Sequence, residues 1–187
     1  MRLKATIWLV PLSIAAFAAM PATAVAEERV CRGTIGPVTL DNIRVPQGAT
    51  CALNGTTAKG TVKVERGATL RASGVRVIGN IQAESANRVN VVAQSTVGGS
   101  VQIVQGGAAR VANSRVNADI LYDENSAYLE VLRNRVGGNV QAFQNTGGVE
   151  ISGNVIDGNL QCKANVPRPV GGSNVVHGSK EDQCARL

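Results

Sequence analysis

A small turn residue, a polar residue and an aliphatic residue recur along this chain at nearly constant distance. They appear as Gly60-Thr61-Val62, Gly79-Asn80-Ile81, Gly99-Ser100-Val101, Ala118-Asp119-Ile120, Gly138-Asn139-Val140 and Gly158-Asn159-Leu160. The aliphatic positions lie 19, 20, 19, 20 and 20 residues apart, and Gly48-Ala49-Thr50-Cys51 matches Gly67-Ala68-Thr69-Leu70 at a spacing of 19. A period of this length describes one supersecondary unit stacked on copies of itself. Within the units Val62-Lys63-Val64, Val89-Asn90-Val91 and Val149-Glu150-Ile151 alternate with the two-residue period of strands. Leucine-rich repeats have a similar period, but their leucines and helical half are missing here. The expected fold is all-β: a single parallel β-helix (β-solenoid) with roughly 19–20 residues per coil.

Residues before the repeat read differently. Arg2 and Lys4 precede an apolar run from Ala5 to Met20, and Ala24-Val25-Ala26 supplies small residues before Glu27, the pattern of a cleaved export signal. A retained anchor needs roughly 20 apolar residues, and Pro21 ends this run sooner. The expected organisation is a signal peptide over 1–26, an N-terminal cap over 27–47, solenoid coils over 48–164, and a C-terminal coil and cap over 165–187. No second apolar stretch of spanning length follows, so no transmembrane segment is expected after cleavage, and the location is extracytoplasmic, periplasmic or secreted. Losing Arg2 and Lys4 lowers Lys+Arg from 19 to 17 against 13 acids, so the net charge falls from +6 to +4. The mature chain keeps only Tyr122, Tyr128 and Phe143 as aromatics. That suits a thin core of stacked small residues better than a broad globular one.

In-register stacking turns sequence columns into ladders about 4.8 Å apart. Val77, Val97, Val116, Val136 and Ile156 form an aliphatic inward column. Two positions earlier, Val75, Ser95, Ser114, Asn134 and Asn154 read as an inward polar ladder at a corner, bonding between coils and to turn carbonyls. Lys63, Gln82, Gln102, Leu121, Gln141 and Gln161 read as an outward column whose glutamines support the stack.

The repeated segments Val136-Gly137-Gly138-Asn139-Val140 and Ile156-Asp157-Gly158-Asn159-Leu160 resemble those of β-helical bacterial proteins such as the polymer-forming bactofilins. They are closer to secreted bacterial repeat proteins of uncharacterised function. The resemblance spans about Gly48 to Cys184 and implies architecture. Bactofilins are cytoplasmic scaffolds without disulfides, and this chain departs from them in its leader and its cysteines.

Cys31, Cys51, Cys162 and Cys184 allow three pairings. Separations of 20 and 22 residues favour Cys31 with Cys51 and Cys162 with Cys184, each about one coil apart and each placed to staple an end of the solenoid in an oxidising compartment. A C-x-x-C spacing is absent and His177 is the only histidine, so no metal site or cofactor is expected. His177 has no nucleophile motif near it and reads as a cap or surface residue, while Asp41, Asp119 and Asp157 read as turn formers.

Two outward columns carry charge. Arg71, Asn90, Arg110, Glu130 and Glu150 place two carboxylates on neighbouring coils. If the chain is a lyase or hydrolase of acidic polysaccharide, Glu130 and Glu150 are its acid/nucleophile pair. The simpler expectation is a mixed charge ladder in which Arg110 offsets Glu130. The other column runs Thr57, Arg76, Thr96, Arg115, Arg135 and Val155, with Arg76, Arg115 and Arg135 placed to meet an anionic polymer or surface. The reading is therefore an exported, non-enzymatic structural or surface-interaction solenoid, without specific nucleic-acid recognition. The alternatives are the β-helical enzyme and a self-assembling extracytoplasmic scaffold formed by the mating of ends.

Overall fold

The computed structural model describes residues 27–187, which form 25 short strands and, among the described residues, no helix. All strands pair in parallel, in three sheets of nine, eight and eight strands. The chain visits the first, second and third sheets in turn, so that three strands make one coil and eight coils stack into a three-sided solenoid. No helix of the described residues is long and apolar enough to cross a membrane.

The register follows the repeat. Ile43, Val62, Ile81, Val101, Ile120, Val140 and Leu160 stack as the inward column of the first sheet. Leu70, Val89, Ala109, Leu129 and Val149 do so in the second sheet, and Val77, Val97, Val116, Val136 and Ile156 in the third. All are buried, because strand alternation sends every second side chain inward in each coil. One inward position is unusual. Tyr122 is fully buried, follows Ile103 and lies beneath Ala142, and its hydroxyl crosses the core to donate to the Glu130 carbonyl at 3.0 Å. The small Ala142 makes room for the ring, and the hydrogen bond satisfies the buried hydroxyl.

Corners are where such a chain must solve its backbone chemistry. Between the first and second sheets Ser85, Gln105, Glu124, Gln144 and Ala164 adopt φ of 53–56°. Between the second and third, Gly55, Gly74, Asn113, Arg133, Gly153 and Ser173 lie at φ of 49–67°. A left-handed residue turns the strand sharply, and for a residue with a side chain it costs roughly 1–2 kcal/mol.

A buried asparagine follows many of these residues. Asn134 donates from its side chain to Val111 O at 2.8 Å and to Asn154 Oδ1 at 3.1 Å, while its backbone N–H also donates to Asn154 Oδ1. Asn154 repeats the pattern with Val131 O and Asn174. A second ladder, Asn125, Asn145 and Asn165, does the same at the other corner and ends on Gln183. The third corner carries the glycine turns. A Cβ on Gly158 would lie 2.6 Å from Gly138 O, too close for any side chain, and Asn139 Oδ1 accepts the Asn159 N–H at 2.8 Å.

The two disulfides are Cys31–Cys51 and Cys162–Cys184, with Cα separations of 5.6 and 5.3 Å. Each runs diagonally, since the register partner of Cys51 is Gly33 and that of Cys162 is Asp182. Residues 27–47, expected as a cap, carry strands Glu28–Val30, Gly33–Ile35 and Thr39–Leu40, which complete a coil of their own. That coil is shorter on the first sheet, where Glu28 pairs with Asn42 only 14 residues on. The expected leader over 1–26 lies outside the described residues.

Two substitutions test the inside and outside of this arrangement. Val116→Asp puts an unpaired charge in a fully buried column and should abolish cooperative folding, whereas the neighbouring, exposed Arg115→Asp should shift the melting midpoint little. Asn145→Ala strands buried backbone and side-chain groups of two coils, at about 1–3 kcal/mol for each group left unpaired. Thermal and denaturant unfolding of the three variants measures all of these effects.

Candidate functional site

Function on a solenoid of this kind is carried by the outward columns, because the inward ones are packed. The third sheet brings Arg76, Arg115 and Arg135 into one column with Thr57, Thr96 and Val155. Each arginine immediately precedes a core valine, which fixes its outward direction, and all three are exposed. Arg115 and Arg135 are direct register partners, while Thr96 separates Arg76 from Arg115. Arg115 Nε donates to Asn117 Oδ1 at 3.0 Å, and no carboxylate pairs with any of the three among the described residues.

The second sheet stacks Arg71, Asn90, Arg110, Glu130 and Glu150. Glu130 and Glu150 are neighbours in this column, but each is engaged elsewhere. Arg110 forms an ion pair with Glu130, and the Tyr128 hydroxyl donates to Glu150 Oε2 at 2.9 Å. Burial, then this hydrogen bond, pushes the Tyr128 phenol above its ordinary pKa, so it remains a donor. Both glutamates lie on an outer sheet face. A shallow concavity lies over the first sheet instead, lined by Lys63, Glu65, Arg66, Gln82, Glu84 and Gln102, without either glutamate.

On the first sheet the glutamine column bonds to itself, with Gln82 donating to Gln102 at 3.3 Å, Gln141 to Gln161 at 2.8 Å and Gln161 to Glu181 at 2.8 Å. These side chains support the stack. His177 is exposed, with its Nδ1 3.0 Å from Asp157 Oδ1 on the preceding coil, and no serine or cysteine is hydrogen-bonded to it. Asp119 accepts the backbone and side-chain N–H groups of Asn139, and Asp41 pairs with Lys59. No group of three or more metal-ligating side chains occurs among the described residues.

Sequence reasoning missed three features here. Tyr128, 48% exposed and placed against Gly148, is the one large aromatic on the second sheet's outer face among the described residues. The asparagine ladder 125, 145, 165 was visible as a spacing of 20, and so was the continuation of the other ladder to Asn174. Asp123 was not singled out either. Its column neighbours are Val104 and Phe143, and its buried Oδ1 has no hydrogen-bond partner. Burial, and then adjacent Glu124, pushes its carboxyl above the usual range.

No protein-family model matches the chain, and neither a curated protein nor a solved structure matches it. The expected resemblance to bactofilins therefore finds no support beyond the parallel β-solenoid itself.

Asp123 yields a pH-dependent expectation. Its folded pKa is raised, so the native state binds this proton more readily than the unfolded chain, and the charged form costs stability above that pKa. Asp123→Asn should raise the melting temperature at neutral pH. The advantage should shrink as pH falls through the raised pKa, a trend that paired thermal melts from neutral to acid conditions will follow.

Proposed function

We propose that this chain is an exported, non-enzymatic β-solenoid that acts as a structural or surface-interaction module, and that its third sheet holds an extended anionic polymer along Arg76, Arg115 and Arg135. The observation that carries this reading is the arginine column itself: three exposed guanidinium groups in one register, none compensated by a carboxylate among the described residues. Like charges directly opposite on neighbouring strands repel. A polyanion lying along the solenoid axis relieves that repulsion and meets a cation at intervals of about one and two coils, or about 5 and 10 Å.

Two disulfides support export, since such bonds persist in oxidising compartments. An acidic polysaccharide of the cell envelope is the ligand class that fits that location and a row of cations without aromatic platforms. The engagement of Glu130 by Arg110 and of Glu150 by Tyr128 supports the non-enzymatic reading, because neither carboxylate is left free to attack an anomeric carbon or to protonate a glycosidic oxygen.

Retention on an immobilised sulfated or uronic-acid polymer tests the proposal. Wild type should be retained at low salt and elute as salt rises, because binding releases counterions. Replacing all three arginines by glutamine should abolish retention and leave the melting temperature nearly unchanged, since exposed charges contribute little to folding. Equal retention of both proteins would reduce the column to a solvated face. The same polymers assayed for chain cleavage should show none, and turnover that disappears in Glu130→Gln or Glu150→Gln would promote the polysaccharide-degrading enzyme instead.

A further inference from the structure

Charge is segregated along the solenoid axis. Residues 59–115 hold eight lysines and arginines against two glutamates, a net +6, whereas residues 116–157 hold two arginines against six acids, a net −4. The outer face of the second sheet displays this split in a single column: Ala52, Arg71, Asn90 and Arg110 on one side, Glu130, Glu150 and Val170 on the other. Its centre is neutralised by the Arg110–Glu130 ion pair.

We infer that this face binds a second copy of the chain, side by side and antiparallel. The argument is one of self-complementarity, which a two-fold interface requires because the same patch must serve both partners. A two-fold axis along the strand direction through the coil of Arg110 reverses the order of coils and keeps each column opposite itself. Arg71 of one copy then faces Glu150 of the other, Asn90 faces Glu130, and Ala52 faces the exposed Val170, while Arg110 on the axis meets its own copy with its charge offset by Glu130 of the same chain. Arg88 lies two residues before Asn90, and Tyr128 two before Glu130, so the same operation sets an exposed arginine over the exposed tyrosine ring, a favourable cation–π pairing. A parallel arrangement would instead set Arg71 on Arg71 and Glu130 on Glu130.

Size agrees with a reversible contact. The operation overlaps seven strands of three to five residues, a face of about 500 Å² per copy. Both copies together bury about 1,000 Å², the size of a weak, transient association. The third-sheet arginines are outside this face and remain exposed in the pair.

Sedimentation equilibrium of the purified protein across ionic strength tests the inference. The expected result is a monomer–dimer equilibrium that moves toward monomer as salt rises. Arg71→Glu or Glu150→Arg alone should weaken the dimer about tenfold or more, since symmetry applies each change twice. The combined Arg71→Glu/Glu150→Arg variant should restore it, because the swapped charges again meet. Arg71 is exposed, so its variant retains the fold, which its melting curve verifies. The triple glutamine variant of the third-sheet arginines should dimerise as wild type does, which separates this contact from polymer binding. A monomer at every concentration in low salt, a dimer indifferent to either reversal, or a double variant that fails to recover would each overturn the pairing.

Discussion

The solenoid depends on hydrogen bonds that its corners make inside the core. A corner interrupts the strand ladder and leaves backbone N–H and C=O groups turned inward, away from water. Each buried group without a partner costs about 1–3 kcal/mol. Asparagine suits this place because its amide carries two donors and an acceptor with two lone pairs on a short stem. Asn145 uses all of them: its Nδ2 donates to Tyr122 O and Asn165 Oδ1, and its Oδ1 accepts from the backbone and side chain of Asn125. The ladder changes character along the chain. Early coils turn at Gly55 and Gly74, which adopt positive φ without a side-chain penalty, and place Thr56 and Val75 next to them. Later coils turn at Asn113, Arg133, Gly153 and Ser173, and three of these four are followed by ladder asparagines, Asn134, Asn154 and Asn174. Asn154 follows a glycine and Ser114 follows a residue with a side chain, so the asparagine ladder satisfies buried groups at corners with and without side-chain strain.

The two ends show what limits the stack. The inward column of the first sheet is aliphatic from Ile43 to Leu160, but its register continues to Arg29 at one end and Lys180 at the other. A copy stacked head to tail would bring these two cations together over the core, and inward-pointing charge on an edge strand opposes strand addition. At the C-terminal end Lys180 Nζ bonds the Leu187 carbonyl, Gln183 closes an asparagine ladder, and buried Cys184 covers the last coil. These features argue against end-to-end mating as the route to a scaffold. They leave the outer faces as the surfaces on which association is not opposed.

Much of this was legible in the sequence because an in-register solenoid writes its third dimension as a spacing. The period, the inward valine column, one polar ladder, the outward charge columns and both cysteine pairs follow from counting residues. What was not legible depends on relations between coils. Tyr122 looks like an aromatic in a chain with few, and its burial follows from the pairing with Ala142 and a carbonyl eight residues on. The ladder through Asn125, though visible as a spacing of 20, is short, because Gly106 and Ala86 stand near its place in earlier coils and no amide repeats there. The first coil has Asp41 where most later coils have a glycine, and its 14-residue spacing falls outside the period. The diagonal course of the disulfides is a consequence of strand ends, which spacing alone does not locate.

Three faces around one thin core give this architecture a freedom that globular domains lack. A change on one outer column leaves the inward columns and the other faces untouched, so separate faces can hold different chemistries. Repulsion limits how far a face can be charged. On the third sheet Thr96 interrupts the arginines, and only Arg115 and Arg135 stand directly opposite one another. Asn117 holds the Arg115 guanidinium in place, which reduces the conformational entropy a ligand must remove. Positive potential is therefore concentrated at one pair of coils rather than spread evenly. Within a Debye length of about 8 Å at physiological salt, Arg135 reinforces Arg115 while Arg76 is already partly screened. Within the third-sheet column, positive charge is densest at the Arg115–Arg135 step.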